Sequence, residues 1–252
     1  MSYSAVAKDL FPPEIKKSGR TLLWEWNGVD TSQFGPHLFV KAAGASTGTR
    51  AGNATVVAGN TVSSQLGGNV LALQLTGSGG SGFRYSVWPI LADLPQSYEV
   101  EIFSASATYG NDGNNGTGCL VMADPDFDHG YVWHQGGRRA RVDNGAVQNA
   151  NTVSTLGTTV SGQYRIRVEG RPAPLDDYAH FQLLIEFDQG TSEQTSFLRN
   201  AFDANDGDWN LSSAGLPPAS WKNSEANRFA LMMMNFTNNQ TWYISSIRIF
   251  SL

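Results

Sequence analysis

The chain has 252 residues, 40% hydrophobic and 11% aromatic, which is enough for a sizeable core in one domain. Only 15% are charged, against roughly a quarter in an ordinary globular protein, so the polar surface must come from Gly, Ser, Thr, Asn and Gln. A net charge of −5 excludes a general nucleic-acid binder, which needs Lys and Arg to neutralise phosphates, and the lone Cys119 excludes an internal disulfide.

Residues 1–20 read as an N-terminal arm, and residues 21–252 as a single domain. In the arm, Pro12-Pro13 followed by Lys16, Lys17 and Gly19 interrupts regular structure, while Tyr3, Leu10, Phe11 and Ile15 give it something to bury. Such an arm is expected to lie on a partner or along its own domain. Its opening, MSYSAVAKDLFPPEIKK, has no apolar core of the signal-peptide type. No apolar run is long enough to span a bilayer. The expectation is cytoplasmic synthesis and no membrane partner.

Thr21 to Asn27 (TLLWEWN) alternates Leu22, Trp24 and Trp26 against Leu23 and Glu25, the signature of a first strand. Residues 41–69 are rich in Gly, Ala, Thr and Asn, and read as loops around one short strand at Val56-Val57. Val70 to Thr76 and Phe83 to Trp88 are strands. Tyr98 to Phe103 places Tyr98, Val100 and Ile102 inward and Glu99 and Glu101 outward. Gly110 to Gly118 is too glycine-rich for regular structure. Leu120 to Met122, Tyr131 to His134 and Arg139 to Asp143 are further strands, the last meeting Asn144-Gly145, a dipeptide suited to a two-residue hairpin. Tyr164 to Glu169 sets Tyr164, Ile166 and Val168 inward, and Phe181 to Phe187 repeats the pattern with Phe181, Leu183 and Ile185. Glu193 to Ala204 is the one stretch that could hold a helical turn or two. Arg228 to Leu252 ends the chain on its most apolar segment, read as a hairpin. Residues 229–236 form a strand buried on both faces, Thr237 to Thr241 a turn, and Trp242 to Leu252 a strand with Ile247 and Ile249 on one side and Ser246 and Arg248 on the other. Many short strands with turn signals and no long helix predict an antiparallel sandwich or barrel.

The order VLALQL, glycine loop, YEVEIF, YRIRVEG, FQLLIEF and closing WYISSIRIF resembles the concanavalin A-like, laminin-G-like jelly roll. The resemblance covers roughly residues 60–252. It implies an all-β, antiparallel two-sheet jelly-roll sandwich, a fold that often holds Ca²⁺ at a sheet rim.

Several constellations bear on chemistry. Gly44-Ala45-Ser46-Thr47-Gly48 fits a nucleophile elbow in letters only, because the elbow needs a helix after the serine and TRAGNAT is a poor one. Glu99 and Glu101 are the nearest approach to the paired carboxylates of a glycosidase, against a simpler reading as exposed strand residues. Asp124, Asp126 and Asp128 put three carboxylates at alternate positions, a hard-oxygen set of the sort Ca²⁺ accepts, against a solvated acidic turn. Asp203, Asn205, Asp206 and Asp208 form a second acidic loop. Tyr131, Trp133, His134, Arg138, Arg139 and Arg141 make an aromatic and basic patch suited to a glycan or a protein partner.

No catalytic residue and no cofactor other than Ca²⁺ is expected. Cytoplasmic synthesis, an uncharged polar surface and an arm ahead of one sandwich together point to a non-enzymatic structural protein of a phage or virus. It would reside in the virion and assemble as a homo-oligomer with other virion proteins. Two alternatives stand beside this: a carbohydrate-binding module, for instance one that takes a host-surface glycan, and a jelly-roll enzyme that cleaves glycans.

Overall fold

The computed structural model of the chain describes residues 20–41, 44–64, 66–78, 84–95, 98–108, 116–134, 138–143, 145–152, 162–171, 180–188, 195–203, 228–234 and 239–251, with β11 to β13 described by their backbone alone. These residues form fifteen strands. They are β1 Leu22–Glu25, β2 Leu38–Lys41, β3 Ala51–Ala58, β4 Asn69–Thr76, β5 Arg84–Pro89, β6 Tyr98–Thr108, β7 Gly116–Ala123, β8 Gly130–His134, β9 Arg138–Asp143, β10 Ala146–Thr152, β11 Gly162–Arg171, β12 His180–Asp188, β13 Thr195–Asp203, β14 Arg228–Met234 and β15 Gln240–Ser251.

Two sheets result. The first runs β13-β12-β11-β6-β15-β4-β3, with β1 paired onto the end of β15 that β4 leaves free. The second runs β10-β2-β5-β14-β7-β8-β9 and curls into a ring. The ring is closed by one parallel contact, Ala146 with Lys41; every other strand pairing is antiparallel. The fold is therefore the all-β two-sheet sandwich that the alternation predicts.

The curl gives the second sheet two apolar faces. Leu71, Leu73, Val100, Ile102, Trp242 and Ile249 of the first sheet meet Trp88, Cys119, Leu231 and Met233 of the second in the intersheet core. Val40, Tyr85, Val87, Leu120, Val132, Val142 and Met232 fill the inside of the ring as a second core, plugged by Phe127. The concave side of the curled sheet is thus packed with side chains. β14 lies between both cores, which explains its unbroken run of apolar residues: Phe229, Leu231 and Met233 face one, Ala230 and Met232 the other.

Four expectations change. The C-terminal segment is not a hairpin: β14 pairs with β5 and β7 in the second sheet, while β15 pairs with β6, β4 and β1 in the first. Glu193 to Ala204 is not helical where described, because β13 pairs with β12 over nine residues. β7 begins inside the glycine-rich stretch, where Gly116, Thr117 and Gly118 pair with the three methionines of β14. Residues 41–69 hold the eight-residue β3, and β2 precedes them. Of the core residues expected in the sandwich, Ile247 and Ile249 are fully buried. The side chains of Tyr164, Ile166, Val168, Phe181, Leu183 and Ile185 lie outside the described residues. The β11 backbone nevertheless sets Tyr164, Ile166 and Val168 in register with the buried Ile102, Val100 and Tyr98.

Candidate functional site

The face of the first sheet turned away from the core has two ends of different chemistry. At one end, β6 presents Glu99 and Glu101, opposite in direction to Tyr98, Val100 and Ile102. They are not exposed as expected, being 6% and 3% accessible. Arg20, two residues ahead of β1, is packed against both. One of its guanidinium nitrogens, Nη1, donates to Oε1 of Glu99 and, at 2.8 Å, to Oε1 of Glu101, while the group lies 4.1 Å from the centre of the Phe250 ring. Arg248 Nη2 holds the other oxygen of Glu101 at 3.0 Å. Burial pulls the Arg20 guanidinium down, but the hydrogen bond to Glu101 and the charges of both glutamates more than reverse it, so its pKa ends above its usual value. The register extends the pattern: Glu25 of β1, Arg248 of β15, Glu101 of β6, Arg165 of β11 and Glu186 of β12 are successive partners, an alternating-charge rung across five strands. A glycosidase pair must face a substrate cleft with one carboxyl free to donate a proton. Here a single guanidinium bridges both carboxylates. This end locks Arg20, just ahead of β1, onto the sheet.

The other end is uncharged. β3, β4 and residues 240–247 of β15 carry no Asp, Glu, Lys or Arg. Leu71, Leu73, Leu75, Trp242 and Ile244 of these strands point into the core, so their neighbours point out. Register lines those neighbours into two rows across the strands. One row is Asn53, Gln74 and Thr241, and the next is Thr55, Ala72 and Tyr243, with the β6 backbone paired beside Thr241 and Tyr243. Asn53 is exposed, and Thr55, Gln74, Thr241 and Tyr243 are half-buried. Ala72, between Thr55 and Tyr243, is wholly covered. The result is an uncharged field of amides and hydroxyls with the Tyr243 ring among them. Sequence reading passed over Tyr243, although the alternation of WYISSIRIF already placed it opposite Trp242 and Ile244.

The acidic turn between β7 and β8 does local work. His129 N donates to Asp124 Oδ1 at 3.1 Å, and His129 Nδ1 bonds Asp124 Oδ2 at 2.9 Å, so both oxygens of Asp124 are engaged. The Asp128 carbonyl accepts the Gly145 N–H at 2.8 Å. Phe127, at φ 60° and 7% accessible, is bent inward to plug the ring, and Asp126 is exposed. Among the described residues no group of three His, Cys, Asp or Glu side chains converges to hold a metal ion. Ser46 lies in a loop that leads into β3, with no helix after it. Asn205, Asp206 and Asp208 lie outside the described residues.

The aromatic and basic patch is brought together by backbone pairing: Tyr131 is opposite Arg141, Trp133 opposite Arg139 and His134 opposite Arg138. On the other side of β8, Tyr131 and Trp133 are opposite Val121 and Cys119, both buried in the intersheet core. The patch side chains themselves lie outside the described residues.

No family model matches the chain, and no curated protein matches it. Solved structures do. A carbohydrate-binding module, CBM66 from Bacillus subtilis, aligns at 12% identity over 78% of this chain and 92% of its own, with a TM-score of 0.37. The exoplasmic/lumenal domain of VIP36 in its Ca²⁺/Man3GlcNAc-bound form aligns at 10% identity over 81% and 83%, with a TM-score of 0.38. The catalytic domain of a glycoside hydrolase family 131 protein from Coprinopsis cinerea aligns at 11% over 85% and 83%, with a TM-score of 0.32. At such identities and scores, the function of this chain has to be argued from its own residues.

Proposed function

We propose that this chain is a non-catalytic glycan-binding β-sandwich. The observation that carries the reading is the uncharged field around Tyr243. Amides and hydroxyls are donors and acceptors at once, as sugar hydroxyls are, and an aromatic ring offers the apolar face on which a sugar ring stacks. The non-catalytic part rests on Glu99 and Glu101, the carboxylate pair singled out for hydrolysis, which are covered and bridged by Arg20. A glycan array probed with the full chain tests binding, with signal on a related set of glycans expected. A turnover assay on pooled polysaccharides tests catalysis. Release of reducing ends that is lost in Glu101→Gln would replace the binding module by an enzyme.

A second reading keeps the assembly role, as a virion component joined to its neighbours by residues 1–20. It draws on Arg20 again. An arm that connects subunits has to leave its own domain from a fixed point, and the Arg20 lock fixes that point on the sheet. Thr21 then exchanges hydrogen bonds with Ser251 at the other end of the chain.

A further inference from the structure

We infer that the ligand of this face is a neutral polysaccharide, lying across the strands from β3 towards β6. The inference rests on the glycan-binding reading and adds to it the ligand's charge class and the site.

Charge decides the class. Uronates, sialic acids and sulfated sugars carry anions, and proteins hold these with Arg or Lys in charge-assisted pairs. The field offers none over β3, β4 and the first eight residues of β15. Arg50, just ahead of β3, is buried, and Arg20 and Arg248 at the other end of the face are paired with Glu99 and Glu101. Glu25 stands in register beside Arg248, which adds negative charge at that end. Among the described residues, an acidic chain would find no exposed cation on β3, β4 and the first eight residues of β15, and carboxylates at the far end.

Geometry decides the direction. The two polar rows run perpendicular to the strands, with neighbouring members ~4.8 Å apart and the rows ~7 Å apart along each strand. A sugar chain laid along them meets Asn53, Gln74 and Thr241 on one side and Thr55 and Tyr243 on the other. Tyr243, half-buried beside the covered Ala72, sits where a ring would stack.

The test is affinity electrophoresis of the full chain through gels containing a neutral β-glucan or mannan, or an acidic alginate or chondroitin sulfate, with and without added salt. Retardation by a neutral polymer, insensitive to salt, is expected. Tyr243→Ala should weaken it about tenfold. Asn53→Ala and Gln74→Ala should weaken it too, and these polar sites spare the fold if Tyr243→Ala does not. Retention by acidic polymers alone, abolished by salt, would overturn the neutral class while leaving glycan binding in place. Neutral binding untouched by all three variants would overturn the site and move it elsewhere on the chain. Retention by none of the four polymers would overturn the glycan-binding reading itself.

Discussion

Removing the Arg20 guanidinium would strand two carboxylates that are under a tenth accessible. Arg248 still reaches Glu101, while Glu99 loses the guanidinium it shares with Glu101. Arg20 itself is a quarter exposed, which screens part of the effect. Arg20→Ala should therefore cost ~1–3 kcal/mol, the penalty of leaving a buried acceptor unsatisfied. The check is a lower urea midpoint at unchanged slope. Adding Glu99→Gln to Arg20→Ala should recover part of the loss, and strict additivity would break the link. Sequence could not show this lock. E-x-E on a strand looks the same whether its outer face meets water or a cation, and Arg20 is 79 residues away from Glu99. His37 makes a second residue-scale case. Its ring packs against Phe39 at 4.4 Å and Trp88 at 5.0 Å and lies over Gly52, where a Cβ would overlap it. Nε2 is buried with no partner. Burial lowers its pKa from the usual 6.5 to about 4. The unfolded chain takes up this proton near 6.5 and the folded one only near 4, so stability is complete above 6.5 and falls as pH drops towards 4. The loss should be on the order of 1–2 kcal/mol after allowing for the ring's partial exposure. His37→Phe should flatten the pH dependence of the melting temperature across that window.

At the scale of elements, β14 shows what periodicity can and cannot say. A continuous apolar run means a strand with two buried faces, and here the second face is the inside of the curled sheet. Alanine at Leu231 and at Met232 should each cost ~2–5 kcal/mol, because each empties a different core. A strand buried on one face would tolerate one of the two, and thermal or urea unfolding distinguishes the cases. The strand was legible but its partners were not. Asn-rich turn chemistry before Trp242 serves a hairpin and a crossing between sheets equally well, since pairing is chosen by contacts far away in sequence. β13 makes the same point. Its segment TSFLRNAFD has no strict alternation, and nine residues of register with β12 override a weak local preference. The uncharged field was partly legible for the opposite reason: Thr241, Tyr243 and Gln74 sit in segments read as strands, while the strand that carries Asn53 and the register that brings them together were missing.

At the scale of the whole molecule, the sandwich closes through β15, which pairs with three strands, and Arg20 and Thr21 lie beside it. That arrangement separates two deletions that look alike on paper. Removing residues 2–19 keeps Arg20, its glutamates and the Thr21–Ser251 hydrogen bonds. The melting temperature of an isolated subunit should then move by no more than a few degrees, since about 1 kcal/mol shifts a chain of this size by ~2–4 °C. Removing residues 2–20 also takes away the guanidinium and should carry the penalty argued for Arg20→Ala. On the assembly reading the shorter deletion has a second consequence. The fold survives, but Tyr3, Leu10, Phe11 and Ile15 are no longer offered to a neighbour, and incorporation into an oligomer or particle should fail. Sedimentation and light scattering of the 2–19 deletion against the full chain decide it. A truncated chain that remains folded and assembles like the intact one would remove the arm as connector. The paired strands β8 and β9, with Arg138, Arg139 and Arg141 along one of them, would then be the surface to test next.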